Sequence, residues 1–344
     1  MTDSIYKTEL KDIPDSIKNF LDRVIQNDKL YLPNIKTSRH TLKGITQIIL
    51  TGTGQSYFSA QAMAHNMELL TDLPTQAIPS PLLMGTRGVL YRDVLVIAVS
   101  LDGDDNDTIC AVKRANANSA RIIAVTRPDS PLGKMCKSKV VPAECGDGIC
   151  TFQSEYLAIA MLGIHIGNIL GRMSKINMSV ALKLAQMLPG KQSFTPNSQK
   201  ELQGVGEYIS KFSTVIFCGY STDNAIAKAV AQEFRIMTGA PAFAVPIYDV
   251  PTSCTDLDGA LIIPIISSNA STKISAYHLN SIREQCPSTV IYTTKNTAQE
   301  LGIADGVVTV DDSIPLFNPI TILTALEQTI LEIYTTPTAT EKSA

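Results

Sequence analysis

Four short apolar runs recur at one spacing along this chain, and that recurrence limits the available folds more than any other feature. Thr46–Gly52 reads Thr-Gln-Ile-Ile-Leu-Thr-Gly, a buried strand entering a glycine turn, and Thr214–Gly219 does the same; Gly219 lies 167 positions after Gly52. The pairs Asp93–Ser100 and Ala260–Ser267, Arg121–Thr126 and Ser288–Thr293, and Val140-Val141 and Val307-Val308 keep the same spacing of 167. Continuous β-branched runs alternating with amphipathic stretches call for parallel sheets covered on both faces. The expected fold class is therefore α/β: two tandem αβα three-layer sandwiches with parallel sheets, related by internal duplication.

The same pattern places boundaries. Residues 1–39 form a helical lead, with Ile17, Phe20, Leu21, Val24 and Ile25 on one apolar stripe. A first domain covers 40–175, a helical linker 176–209, a second domain 210–335, and an aperiodic tail 336–344. The linker contains Pro189–Ser198, rich in Gly, Pro, Ser and Asn.

Composition narrows the setting. At 344 residues and 44% hydrophobic content the chain can fill two cores. A net charge of −3 gives no basic excess for nucleic acid or an anionic membrane. The start, Met1-Thr2-Asp3-Ser4, lacks the basic and apolar regions of a signal peptide. Apolar runs such as Ala260–Ile266 are too short to span a bilayer. Seven cysteines without a Cys-x-x-Cys pair suit reduced thiols and a cytoplasmic location, and their spacing matches no metal site.

In open parallel sheets, ligands bind at the carboxyl ends of strands, where the next helix offers free N–H groups. Three turns of the first domain qualify. They are Gly52-Thr53-Gly54-Gln55-Ser56-Tyr57, Ser100–Thr108 with its run of aspartates, and Gly146-Asp147-Gly148-Ile149-Cys150-Thr151. Singly, each also reads as an ordinary turn or helix cap. Together, at matching strand ends, they point to a site.

These residues resemble a known family. A strand, then Gly-x-Gly-x-Ser-Tyr, then Val-Ile-Ala-Val-Ser before a loop ending in Asp-Thr, is similar to the SIS (sugar isomerase) fold. That fold occurs in the isomerase half of glucosamine-6-phosphate synthase and in fructosamine-6-phosphate deglycases. The resemblance covers about residues 40–344 and implies a small sugar or sugar-phosphate ligand, no cofactor, and a homodimer whose sites are completed across subunits. It places Gly54, Gln55 and Ser56 at the first turn's contacts and Thr151 at the third's. The family's second turn reads Ser-Gln-Ser-Gly-Glu-Thr, whereas here it is Ser100-Leu101-Asp102-Gly103-Asp104-Asp105. Asp102 and Asp105 thus stand where hydroxyls meet phosphate. A carboxylate about 4 Å from a phosphate costs several kcal/mol in a partly buried site, unless these aspartates simply cap the next helix. The second domain's counterpart, Ser267-Ser268-Asn269-Ala270-Ser271-Thr272, is hydroxyl-rich. On this expectation any phosphate sits near Ser267, Ser271 and Thr272, and the first pocket takes a neutral or amine-bearing ligand; a plain helix cap explains that segment too.

The resemblance also implies catalytic positions. Glu233, in Ala231-Gln232-Glu233-Phe234, matches the glutamate that moves a proton between sugar carbons. Sixteen residues on, the family carries an acid/base histidine before Gly-Pro; Asp249 before Val250-Pro251 stands there instead. Lys342 keeps the family's spacing from Pro337 to a tail lysine that forms a Schiff base with the open-chain sugar. Each residue also has an ordinary reading, as a helix-surface, loop or tail charge. The implied function is a phosphosugar isomerase or deglycase acting by proton transfer on an amino-sugar phosphate or a sugar-phosphate–amine conjugate, without a glutaminase domain. The alternative is a non-catalytic sugar-binding or sensing protein with a degenerate isomerase site.

Overall fold

The computed structural model describes residues 3–85, 92–144, 150–193, 195–250, 259–267, 269–286, 288–303 and 305–335. The chain forms two compact units, one of Asp15–Met187 and one of Leu188–Ala344 together with Met1–Pro14. The leading helix α1 (Asp3–Val24) buries Ile17, Phe20, Leu21 and Val24 of the expected stripe and Ile13 besides, while Ile25 falls in the strand that follows. A two-residue hairpin, β1 (Ile25–Gln26) with β2 (Lys29–Leu30), follows, and then a short helix α2 (Arg39–Leu42) held by a Ser38–Thr41 capping box.

The first sheet is laid down by alternation. In order come β3 (Gln47–Thr51), α3 (Gly54–Thr71), β4 (Thr75–Ala77), α4 (Ser80–Gly85), β5 (Val94–Val99), α5 (Asn106–Ala117), β6 (Arg121–Val125), α6 (Pro131–Met135) and β7 (Lys139–Val140). Helices α7 (Thr151–Leu170) and α8 (Lys175–Gln186) close the unit. All pairings are parallel, in the order β4-β3-β5-β6-β7. Every residue of β5 is buried, which explains its unbroken apolar sequence. From β3 the chain steps outward to β4, then returns to the other side of β3 as β5. That reversal separates the connections at the carboxyl ends of β3 and β5 and opens a crevice there. Helix α7 packs closely against α3: a side chain on Gly167 would run into the Leu70 carbonyl.

The second unit repeats this plan. It begins with α9 (Leu188–Lys191) and α10 (Pro196–Ile209) and continues through β8 (Thr214–Gly219), α11 (Thr222–Thr238), β9 (Ala242–Pro246) and β10 (Ala260–Ile266). It ends with α12 (Asn269–Gln285), β11 (Ile291–Thr294), α13 (Lys295–Leu301), β12 (Val307–Val310) and α14 (Asn318–Thr335). The parallel order β12-β11-β10-β8-β9 is the first sheet's order read from the other edge. One detail departs from the even spacing. Gln47 pairs with Val94, but Thr214, 167 residues later, pairs with Ala260 rather than Leu261. Strand β10 is therefore displaced by one residue, because the connection from β9 is one residue shorter than that from β4. Ser267 consequently takes the place of Leu101, not of Ser100.

The aspartates of the second turn have local work. Asp105 is the N-cap of α5, accepting from the Thr108 N–H at 2.8 Å. Gly103 turns with φ +65°, where a Cβ would run into the hydroxyls of Thr126 and Ser130. Replacing Asp105 with Ala is expected to lower stability by about 1 kcal/mol, while Asp105→Asn keeps most of it. Urea denaturation of the two variants checks this.

Candidate functional site

Helix α3 begins at Gly54, immediately beyond the carboxyl end of β3, and its N-cap Thr53 makes no side-chain cap bond. Asp105, Ser130 and Ser174 do cap their helices. Gln55 and Ser56 are half-buried in this first turn and Gly54 is exposed, so the start of α3 faces the crevice. Behind Ser56 stands Glu155, on the second turn of α7 and 0% exposed. Its Oε1 lies 2.7 Å from Ser56 Oγ and its Oε2 3.1 Å from Ser59 Oγ. The Leu101 N–H also donates to this carboxyl. One buried group thereby ties the first turn, the second turn and α7 together. Thr151 opens α7, half-buried; Gly146–Ile149 of the third turn lie outside the described residues.

At the second turn the structure revises the expected repulsion. Ser100 is buried, and its Oγ accepts from the Gly103 N–H at 3.2 Å. Asp102 points outward to Arg127, with an N–O distance of 2.7 Å, so a cation already offsets its charge. With Asp105 engaged as a cap, this turn supplies its own acceptors for N–H groups that a phosphate would otherwise receive. Beside it opens a cavity of about 710 Å³ at the carboxyl ends of β5, β6 and β7, lined by Leu101, Asp102, Arg127, Lys139 and Glu144 among others.

In the second unit, Asp223 occupies the position of Ser56, each packed under the glycine that ends its strand, Gly219 and Gly52 respectively. Asp223 is 1% exposed, and its Oδ2 accepts from the Ser267 N–H at 3.2 Å. Asn318, at the start of α14, donates to the Ser267 carbonyl at 2.8 Å. Ser267 is thus pinned through its backbone. Ser271 and Thr272 fall in the first turn of α12. Glu233 lies half-buried on α11, and Asp249 half-buried just after β9, its N–H bonded to the Pro246 carbonyl. Lys342 lies outside the described residues. Cys110, Cys136, Cys218 and Cys286 are free, but Cys150, at the N-cap of α7, is disulfide-bonded, which corrects the expectation of reduced thiols throughout. Among the described residues no group of His, Cys, Asp and Glu could hold a metal ion, and no helix is long and apolar enough to cross a membrane.

Sequence reasoning missed Glu155 and Asp223. The signal for Glu155 was a lone acid followed by the apolar run Tyr156–Ile164; for Asp223 it was an acid at the spacing of Ser56. Burial dominates the chemistry of Glu155 and pushes its pKa from 4.5 up to about 8, against the lowering effect of the Ser56, Ser59 and Leu101 hydrogen bonds, while nearby Asp102 raises it further. The folded chain holds this proton and the unfolded chain releases it. The contribution is thus complete below about pH 4.5 and disappears as pH rises through about 8. Burial lowers the pKa of His165, which ordinarily titrates near 6.5, so a window above that value isolates Glu155. Between about pH 6.8 and about pH 7.8, stability is expected to fall by roughly 1 kcal/mol, and Glu155→Gln to flatten that slope. Urea unfolding at the two pH values measures it.

Comparison with known proteins agrees with this architecture. Residues 41–163 match the family model described as the SIS domain. The glutamine–fructose-6-phosphate aminotransferase (isomerizing) of Caldanaerobacter subterraneus is 20% identical over 334 residues, 95% of this chain. That of Mycolicibacterium smegmatis is 20% identical over 91% of the chain. The chain spans about half the length of these relatives, 55% and 51%. Among solved structures, the C-terminal domain of glucosamine-fructose-6-phosphate aminotransferase from Francisella tularensis superposes with TM-score 0.86 at 14% identity, covering 96% of this chain and 95% of that one. Tagatose-6-phosphate ketose/aldose isomerase from Escherichia coli gives 0.71 at 15% identity, covering 96% and 91%. The two units are αβα sandwiches of the kind these neighbours share, and residues 41–163 are similar to the SIS domain.

Proposed function

We propose that this chain acts on an amino-sugar phosphate or a sugar-phosphate–amine conjugate, as a ketose–aldose isomerase or a deglycase. The observation that carries the reading is the start of α3. A helix N-terminus without a side-chain cap, with Ser56 beside it, faces the crevice where the strand order of an SIS domain reverses. Partial positive charge and N–H groups at such a point suit an anionic sugar. The relatives' names, an aminotransferase of fructose 6-phosphate and a tagatose-6-phosphate isomerase, supply the substrate class. Gly54, Gln55, Ser56, Ser100 and Thr151 would hold the sugar in the first unit. The pairing of Asp102 with Arg127 supports placing the phosphate in the first unit, where the sequence alone favoured Ser267, Ser271 and Thr272.

Isomerisation and deglycation both need a base that removes a proton beside a carbonyl or imine, and an acid for the ring oxygen or leaving amine. Glu233 would be the base, Asp249 the acid, and Lys342 the imine former. A homodimer and a cytoplasmic location complete the proposal. Glu233→Gln is expected to reduce turnover of hexose 6-phosphates and their amine conjugates by ~10²–10⁴ while leaving the fold intact. A coupled isomerase assay alongside circular dichroism decides this, and unchanged turnover would remove Glu233 from the role. Deleting the residues after Thr336 is expected to impair catalysis without moving the melting temperature. Full activity of the truncated chain would make Lys342 a bystander.

A second reading, a sugar-binding protein without catalysis, is favoured by the second turn. Its N–H groups at Gly103 and Thr108 are received by Ser100 and Asp105, and Asp249 stands where the family places histidine. Sugar phosphate that binds tightly but is not turned over by the unaltered protein would select this reading.

A further inference from the structure

The two units solve one problem in two ways, and the difference singles out Glu155. In each, a buried carboxyl receives the N–H just past the central strand, that of Leu101 in the first unit and Ser267 in the second. The second unit carries its carboxyl on the turn itself, as Asp223. The position of α14 corresponding to Glu155, counted from the helix start, is the fully buried Ile322. The first unit instead carries a hydroxyl on the turn, Ser56, and places the carboxyl behind it on α7. There a half-buried donor stands between the crevice and an acid.

The proton count of this pair has two states. With Glu155 in its acid form, its O–H donates to Ser56 Oγ, and the Ser56 proton remains available to a ligand. The other carboxyl oxygen still accepts from the Leu101 N–H or Ser59. With Glu155 ionised, Ser56 donates to Oε1 across the same 2.7 Å. The hydroxyl then offers a ligand only a lone pair, and a full negative charge lies behind the turn. We infer that Glu155 sets the charge of ligand the first turn accepts: the acid form admits an anionic group at Ser56, and the carboxylate form excludes it. Its role is specificity through Ser56 rather than contact with the substrate, and it rests on the reading that the first unit holds the sugar phosphate.

The surroundings favour such a two-state group near neutrality. Burial holds the carboxyl neutral up to about pH 8. Among the described residues the charge that acts on it is Asp102, which works in the same direction and is itself paired with Arg127. On α3, Tyr57 stays neutral over this range, since burial raises its phenol above the usual value. A phosphate monoester is already dianionic above about pH 7, so its titration does not intrude; the amine of glucosamine 6-phosphate does lose its proton over this range, so fructose 6-phosphate carries the comparison between the two pH values.

Calorimetric titration of the whole chain with fructose 6-phosphate and glucosamine 6-phosphate, at about pH 7 and about pH 9, tests the inference. The expected result is an affinity about tenfold lower at the higher pH, with no such loss for Glu155→Gln, whose amide N–H reproduces the acid's donor. Phosphate-free fructose serves as the control and is expected to show no fall. Equal affinity at both pH values overturns the inference and leaves the substrate reading standing; so does a full tenfold loss retained by Glu155→Gln. No binding of either sugar phosphate at pH 7 overturns the substrate reading and this inference with it. Should Glu155→Gln fail to fold, the profile of the unaltered protein against the phosphate-free control carries the test.

Discussion

A backbone N–H just beyond the central strand of a parallel sheet has no ladder partner, and in both units of this chain it is buried at the point where the strand order reverses. Left without an acceptor, such a group costs about 1–3 kcal/mol. A carboxyl meets the need because it accepts from several donors at once. Glu155 gathers Ser56, Ser59 and Leu101, and Asp223 receives Ser267. The crevice keeps its shape because these groups fix the two turns that border it. The arrangement of α3 against α7, tight enough that Gly167 has no room for a side chain, brings Glu155 within reach of Ser56.

The duplication shows how a buried charge can be relocated without losing the fold. Ser56 with Glu155 in one unit corresponds to Asp223 with Ile322 in the other. Introducing the acid on the turn removes the need for one on the later helix, and an aliphatic side chain then fills that place with no polar atom to satisfy. Keeping both acids would set two carboxyls against one N–H, and keeping neither would leave the N–H unpaired. The exchange has a chemical consequence: the first unit retains a hydroxyl at the crevice, whereas the second has its backbone held from both sides by Asp223 and Asn318.

Much of the fold was legible in the sequence because parallel strands buried on both faces must be continuously apolar, and such runs at one spacing admit few arrangements. The one-residue displacement of β10 was not legible. Ser100 and Ser267 both end an apolar run and align at the common spacing, yet the ladder pairs Thr214 with Ala260 and moves Ser267 to the place of Leu101. Side-chain likeness misled where hydrogen-bond register decides. The second turn was half legible. The capping role of Asp105 follows from its place before a helix, but the pairing of Asp102 with Arg127 depends on a residue from the end of the next strand. Glu155 was only faintly legible, as a lone acid before an apolar run, because its contacts come from α3 and the second turn rather than from its neighbours in sequence.

Two layers of charge therefore lie behind the crevice, and they obey different physics. Asp102 and Arg127 form an exposed pair, with side chains 61% and 49% accessible. A pair of that kind contributes little to stability and is screened by salt. Its effect is local neutralisation, which keeps the second turn from repelling an anion outright. Glu155 lies where screening scarcely reaches, so its charge, when present, acts through a low-dielectric path. Added salt can change the outer layer while leaving the inner one intact; a proton does the reverse. The chemistry the crevice permits follows from the inner layer, because Ser56, the side chain through which it acts, stands at the start of α3, between the buried acid and the crevice.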